Sequence, residues 1–155
     1  MNVDIDRLKE KNACKSGIAW LESLGTVDGS EIIKKGIELE RWSDLRWGLS
    51  RLMTKEQCVE WAIFCAEQVI DVFEKNFPSD KRPRQAIRDA RKYLTCPSEE
   101  NNKAAAAAAD AADAAADAAY ACASTAVYAA AAADDATETM IWKGYEILIK
   151  ESQNA

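Results

Sequence analysis

Apolar residues recur every three or four positions along most of the chain, the spacing of one face of a helix. Over residues 4–24 the apolar set is Ile5, Leu8, Ile18, Trp20, Leu21 and Leu24. It predicts one helix, or two short ones with a bend near Lys15–Gly17. Gly25-Thr-Val-Asp-Gly29 reads as a turn. Ser30 is a plausible N-cap for a short helix with Ile32, Ile33 and Ile37 inward. Ser43 is read as the cap of the next, where Leu45, Leu49 and Leu52 recur at four and three, flanked by Trp42 and Trp47.

Thr54-Lys-Glu-Gln57 is a capping box, in which each side chain takes up the other residue's orphan backbone N–H. It opens a clearly amphipathic helix running to about Asn76. Val59, Ala62, Ile63, Ala66, Val69, Ile70 and Phe73 make its apolar face, and Glu60, Glu67, Asp71 and Glu74 a polar one. Pro78 ends it. Pro83 sits in the first turn of another helix, where its missing N–H is harmless. There Ala86, Ile87, Ala90 and Leu94 face inward, with Arg84, Arg88 and Arg91 as a basic stripe beside them. A polar link, Pro97-Ser-Glu-Glu-Asn-Asn102, follows. At the end of the chain Ile141, Trp142, Tyr145, Leu148 and Ile149 outline a last amphipathic helix.

Between these lies Ala104–Ala133, in which twenty-one of thirty residues are alanine. Alanine loses no side-chain entropy in a helix, and no Gly or Pro interrupts the run. A helix of this length is a rod of about 45 Å. Along one stripe, positions recur by threes and fours: Asp110, Asp113, Asp117, Tyr120, Ser124, Val127 or Tyr128, Ala131, then Asp134 or Asp135. One side is therefore acidic and then aromatic, and the other faces are nearly bare methyl groups.

Six Gly and three Pro in 155 residues are too few for a turn-rich β protein. The predicted fold is an all-α, single-domain helical bundle. One long alanine-rich helix, about 103–135, is packed by shorter amphipathic helices. Residues 1–97 supply mixed helices with a Trp/Leu core, and 98–155 the long helix plus a C-terminal one. The net charge of −6 is unevenly placed: residues 1–56 balance to zero, 57–96 carry +1 and 97–155 carry −7. Such a chain is a poor nucleic-acid binder, because phosphate contacts supply most of that affinity. It suits a basic protein partner, or simply solubility.

The candidate chemistry is sparse. Five cysteines, with no CxxC pair and no histidine, read as free thiols in a reducing cytoplasm, with no metal and no cofactor. The N-terminal run has no apolar segment of the signal-peptide kind. The alanine run, with three aspartates in it, does not read as a membrane span. Without histidine, a Gly-rich phosphate loop or GxSxG, the chain reads as not an enzyme. The acidic stripe instead raises the question of what meets it. Arg84, Arg88 and Arg91 have matching spacing, so an ion-pair ladder to the rod is expected, with Asp113 and Arg88 as a test pair. Partner-binding candidates are Asp110, Asp113, Asp117, Tyr120, Tyr128, Asp134 and Asp135. Trp42 and Trp47 join them as the tryptophans expected to be exposed.

Several strings carry a resemblance: Ala13-Cys-Lys-Ser-Gly17-Ile-Ala-Trp20-Leu21, Glu40-Arg-Trp-Ser-Asp-Leu-Arg-Trp47, and Cys65-Ala-Glu67-Gln-Val69-Ile-Asp-Val-Phe73-Glu74. The last leads into Asp80-Lys-Arg82-Pro83-Arg84-Gln-Ala86-Ile87. Together with the alanine-rich helix after them, these strings resemble the Imm-5-like immunity protein family of bacteria and phages, over most of residues 13–133. The resemblance implies stoichiometric binding of a toxin or effector, without catalysis. A phage-encoded inhibitor of a host defence complex, acting through an acidic surface, is the alternative. A small-molecule-binding helical bundle is a third, which needs a pocket. Homo-oligomers are compatible with each. Within the motif, Asp80 and Arg82 are read as a pair at the helix start, and Arg84 as reaching the rod.

Overall fold

The computed structural model describes residues 1–101, 103 and 129–150. The chain is all-α, as its patterning predicts. In chain order the helices are α1 (Ile5–Glu10), α2 (Lys15–Ser23), α3 (Gly29–Glu38), α4 (Trp42–Leu52), α5 (Lys55–Asn76), α6 (Arg82–Thr95) and α7 (Ala129–Lys150). Residues 104–128, with Asp110, Asp113, Asp117, Tyr120 and Tyr128, lie outside the described residues. So do the side chains of Asp134 and Asp135, although their backbone belongs to α7.

Local signals set each helix boundary. The Asp4 carboxylate accepts from the Arg7 N–H at 3.0 Å and opens α1. Asn12 closes it in the left-handed region, at φ 65°. Its N–H donates to the Lys9 carbonyl, and that of Ala13 to Leu8, the paired bonds of a Schellman motif. Asparagine enters this region readily, so the chain breaks at 11–14 rather than at Lys15–Gly17. The same motif closes α3 with a less suited residue. Glu40 takes φ 52° while its N–H donates to Ile37 and that of Arg41 to Gly36. A Cβ on Gly36 would lie 2.6 Å from Leu45 Cδ2, so the missing side chain is what lets α4 approach α3.

Two expected caps are corrected. Asp28, not Ser30, caps α3: its Oδ1 accepts from the backbone N–H groups of Ser30 and Glu31 and from the Ser30 hydroxyl. A carboxylate takes several donors at once, which starts the helix earlier. Ser43 is inside α4, which begins at Trp42 with no side-chain cap. There the Arg41–Asp44 pair, 2.7 Å, places an acidic group in the first turn. The Thr54–Gln57 box forms as predicted, with the Thr54 N–H on Gln57 Oε1 at 2.8 Å and the Gln57 N–H on Thr54 Oγ1 at 3.2 Å. Pro83 lies in the first turn of α6, also as predicted.

Contacts divide the chain into two compact units, with boundaries inside α5 at Cys58/Val59 and inside α7 at Ala136/Thr137. The first unit holds α1–α4, the capping box and the last part of α7. Leu8, Leu21 and Ile32 form its core cluster, with Val3, Ile18, Trp20, Leu24, Trp47 and Leu52 packed around it. Ile141, Tyr145, Ile147 and Leu148 of α7 are buried. The second unit is centred on Ile63 and Ile70 of α5 and Ile87 of α6, with Val59, Ala66, Ala90 and Leu94 against them. Ala62, placed inward by the periodicity, is exposed.

Candidate functional site

The second unit displays a row of arginine–carboxylate pairs. Arg84 grips Glu74 as a fork, with Nε on Oε1 at 2.6 Å and Nη2 on Oε2 at 2.8 Å, and its Nη2 also lies 3.3 Å from Asp71 Oδ1. Arg91 pairs with Glu67. The two carboxylates are seven residues apart on α5, and the two arginines seven apart on α6. Equal spacing on consecutive helices running in opposite directions brings both pairs into register. Arg82 binds Asp80 locally, through Nη2 at 2.6 Å. Arg88 donates to Gln85 on its own helix.

The expected arginine stripe is real, and the structure seats Arg84 and Arg91 on the carboxylate face of α5. The signal was present in the sequence. Glu67 and Glu74 share the spacing of Arg84 and Arg91 across a short Pro-containing connection, and the nearer partner helix has the advantage. These pairs are solvated, so they fix register more than they add stability.

They still leave an acid signature. The Arg82 guanidinium and N–H hold the Asp80 carboxyl down from 3.8 to about 2. The Arg84 fork holds that of Glu74 below its ordinary 4.5. A carboxylate with a depressed folded value contributes stability above its unfolded value and loses it as pH falls through the folded one. Part of the acid destabilisation of the chain is therefore expected between about pH 4.5 and pH 2. Urea midpoints measured across that range should fall less steeply for Glu74→Gln/Asp80→Asn than for the parent. An identical slope would remove these two groups from the account.

The first unit holds a cavity of about 300 Å³, open to solvent on one side and walled by all four N-terminal helices and by α7. Its lining is mainly aliphatic and aromatic, including Leu8, Leu49, Trp20, Trp47, Tyr145 and Leu148. Asn12, Cys14, Ser43 and Asp44 supply the polar positions. The Cys14 thiol sits at the start of α2 and accepts from the Gly17 N–H at 3.3 Å. Its hydrogen bonds with Ser16 and Gly17 favour the thiolate and hold its pKa below the usual thiol value. The Arg41 guanidinium lies 4.7 Å from the Trp20 ring centre, and that of Arg51 lies 5.4 Å from Trp47.

Trp42 and Trp47, expected to be exposed, are both half-buried. Trp47 packs on the first unit's core and walls the cavity, because it lies at the edge of the Leu45–Leu49–Leu52 stripe. The sequence reading missed the cavity and its wall residue Gly48. Nothing in helical periodicity reports how fully neighbouring helices fill the space between them. Among the described residues, no Cys, Asp and Glu side chains gather in threes as a metal site requires. No described helix is long and apolar enough to cross a membrane.

No curated protein and no solved structure matches the chain. A family model does, over residues 48–154, from the last turns of α4 through α7. The match takes in the paired α5–α6 faces, the Asp80–Arg84 motif and the alanine-rich stretch. The chain therefore belongs to the family described as Imm-5 like putative immunity protein.

Proposed function

We propose that the protein is a non-catalytic inhibitor that neutralises a basic protein partner, a toxin or effector, by stoichiometric binding in the cytoplasm. The family match carries this reading, since an immunity protein acts by occupying its target. The charge distribution adds the sign of the partner, because the acidic excess is confined to residues 97–155. The binding edge is Asp110, Asp113 and Asp117, continued by Tyr120, Tyr128, Asp134 and Asp135. Carboxylates give fast, salt-sensitive encounter, and tyrosines give anchoring area with little entropy to lose. Arg84 and Arg91 already hold carboxylate partners on α5.

The test is capture of a partner by the tagged full chain, followed by calorimetric titration of the purified pair. One-to-one binding that weakens about tenfold or more between 50 and 300 mM salt is expected. Replacing Asp110, Asp113 and Asp117 by Asn should weaken it further while leaving the circular dichroism intact. Failure to recover any protein partner defeats the inhibitor reading. A partner indifferent to both salt and the Asn substitutions defeats the acidic edge.

A further inference from the structure

The cavity of the first unit has a feature that packing does not explain. Gly48 lies in its wall, inside α4, with ordinary helical backbone. Glycine there weakens the helix relative to alanine. Yet a Cβ built on Gly48 would meet no atom within 4 Å. Neither a close approach nor a left-handed turn requires it. What the missing side chain leaves is open wall. In the same wall Trp20 buries its indole N–H without an acceptor among the described residues. An unsatisfied buried donor needs an explanation, and a site completed by a ligand is one.

The lining sets the ligand's chemistry. Most of it is hydrocarbon and aromatic ring. The carboxylate at its edge, Asp44, is neutralised by Arg41 at 2.7 Å, so no unpaired charge awaits a counter-charge. Asn12 and Ser43 are solvent-exposed and supply polar groups at its edge. A volume of about 300 Å³ lies at the small end of ligand pockets, which run from about 300 to 1,000 Å³.

We propose that this cavity binds a small uncharged molecule, apolar over most of its surface and carrying one hydrogen-bond acceptor for the Trp20 indole N–H. Most of its wall precedes residue 48 and so lies outside the family match. The site is a property of this chain's N-terminal helices and stands independently of partner inhibition.

The neutral dye N-phenyl-1-naphthylamine, titrated into the full chain, is the probe. Saturable one-site binding with a blue-shifted rise in fluorescence is expected. Gly48→Leu fills the wall and should weaken binding about tenfold or more with helicity retained. Leu39→Ala, at an exposed position, should leave it unchanged. Should Gly48→Leu fail to fold, methyl NMR of the parent gives the answer. Dye should then move the Leu8, Leu21, Leu49 and Leu148 methyls and leave Leu94, in the second unit, in place. Absence of saturable binding overturns the proposal. So does binding that a folded Gly48→Leu retains, or methyl shifts that spare these four of the wall leucines.

Discussion

Ile141→Ala is expected to destabilise the first unit by about 2–5 kcal/mol, the range for removing a buried Ile down to Cβ. Among the described residues Ile141 is the large side chain with no exposed surface. Its loss forfeits the transfer free energy of three carbons and leaves a void. The surroundings are helix faces fixed by their own caps, so they can close on that void only in part. At about 3 kcal/mol the melting midpoint should drop by about 6–12 °C for a chain of this size. Ile141→Val removes one methylene and should cost only about 0.5–1.5 kcal/mol. Guanidinium unfolding of parent and both variants, followed by circular dichroism, checks the series. Equal effects of Val and Ala would mean that the loss is not a cavity term.

Gln57→Ala is the second large effect, expected at about 2–4 kcal/mol, because one side chain serves two helices. Gln57 is the buried polar residue of the described core, at 6% exposure. Its Oε1 accepts from the Thr54 N–H at 2.8 Å and completes the cap of α5. Its Nε2 donates to the Ile147 carbonyl at 3.0 Å, in the last turn of α7. Helix ends leave their last carbonyls without intrahelical donors, so this amide closes one of those gaps. Removing it leaves the Thr54 N–H at the start of α5 without its side-chain partner and strands a buried acceptor on α7. Gln57→Glu separates the two roles. It keeps the acceptor for Thr54 but presents a carboxylate to the Ile147 carbonyl, so it should be at least as damaging as Ala near neutral pH. If Glu is instead tolerated, the cap is the whole contribution and the bond to α7 adds nothing. Urea unfolding of the three proteins decides between these outcomes.

Neither the cavity nor the interhelical bond of Gln57 could be read from the sequence. The capping box was legible because its two partners are three residues apart. The second use of Gln57 was not, because its acceptor is ninety residues away. Ion pairing followed the same division. That Arg84 and Arg91 form a stripe is a matter of helical spacing. That they meet Glu74 and Glu67 depends on which helix packs beside α6.

By itself the sequence determined the all-α class, the extents of α5 and α6, most of the inward face of each helix, and the family. These are local properties: propensity, period and cap chemistry act within about one or two helical turns. The tertiary structure decided which carboxylates Arg84 and Arg91 meet and that Trp47 is half-buried in a cavity wall. It also decided that Gly48 opens onto space. Each of those depends on the distance between side chains remote in sequence. That distance is set by how the helices pack together, which no local pattern encodes.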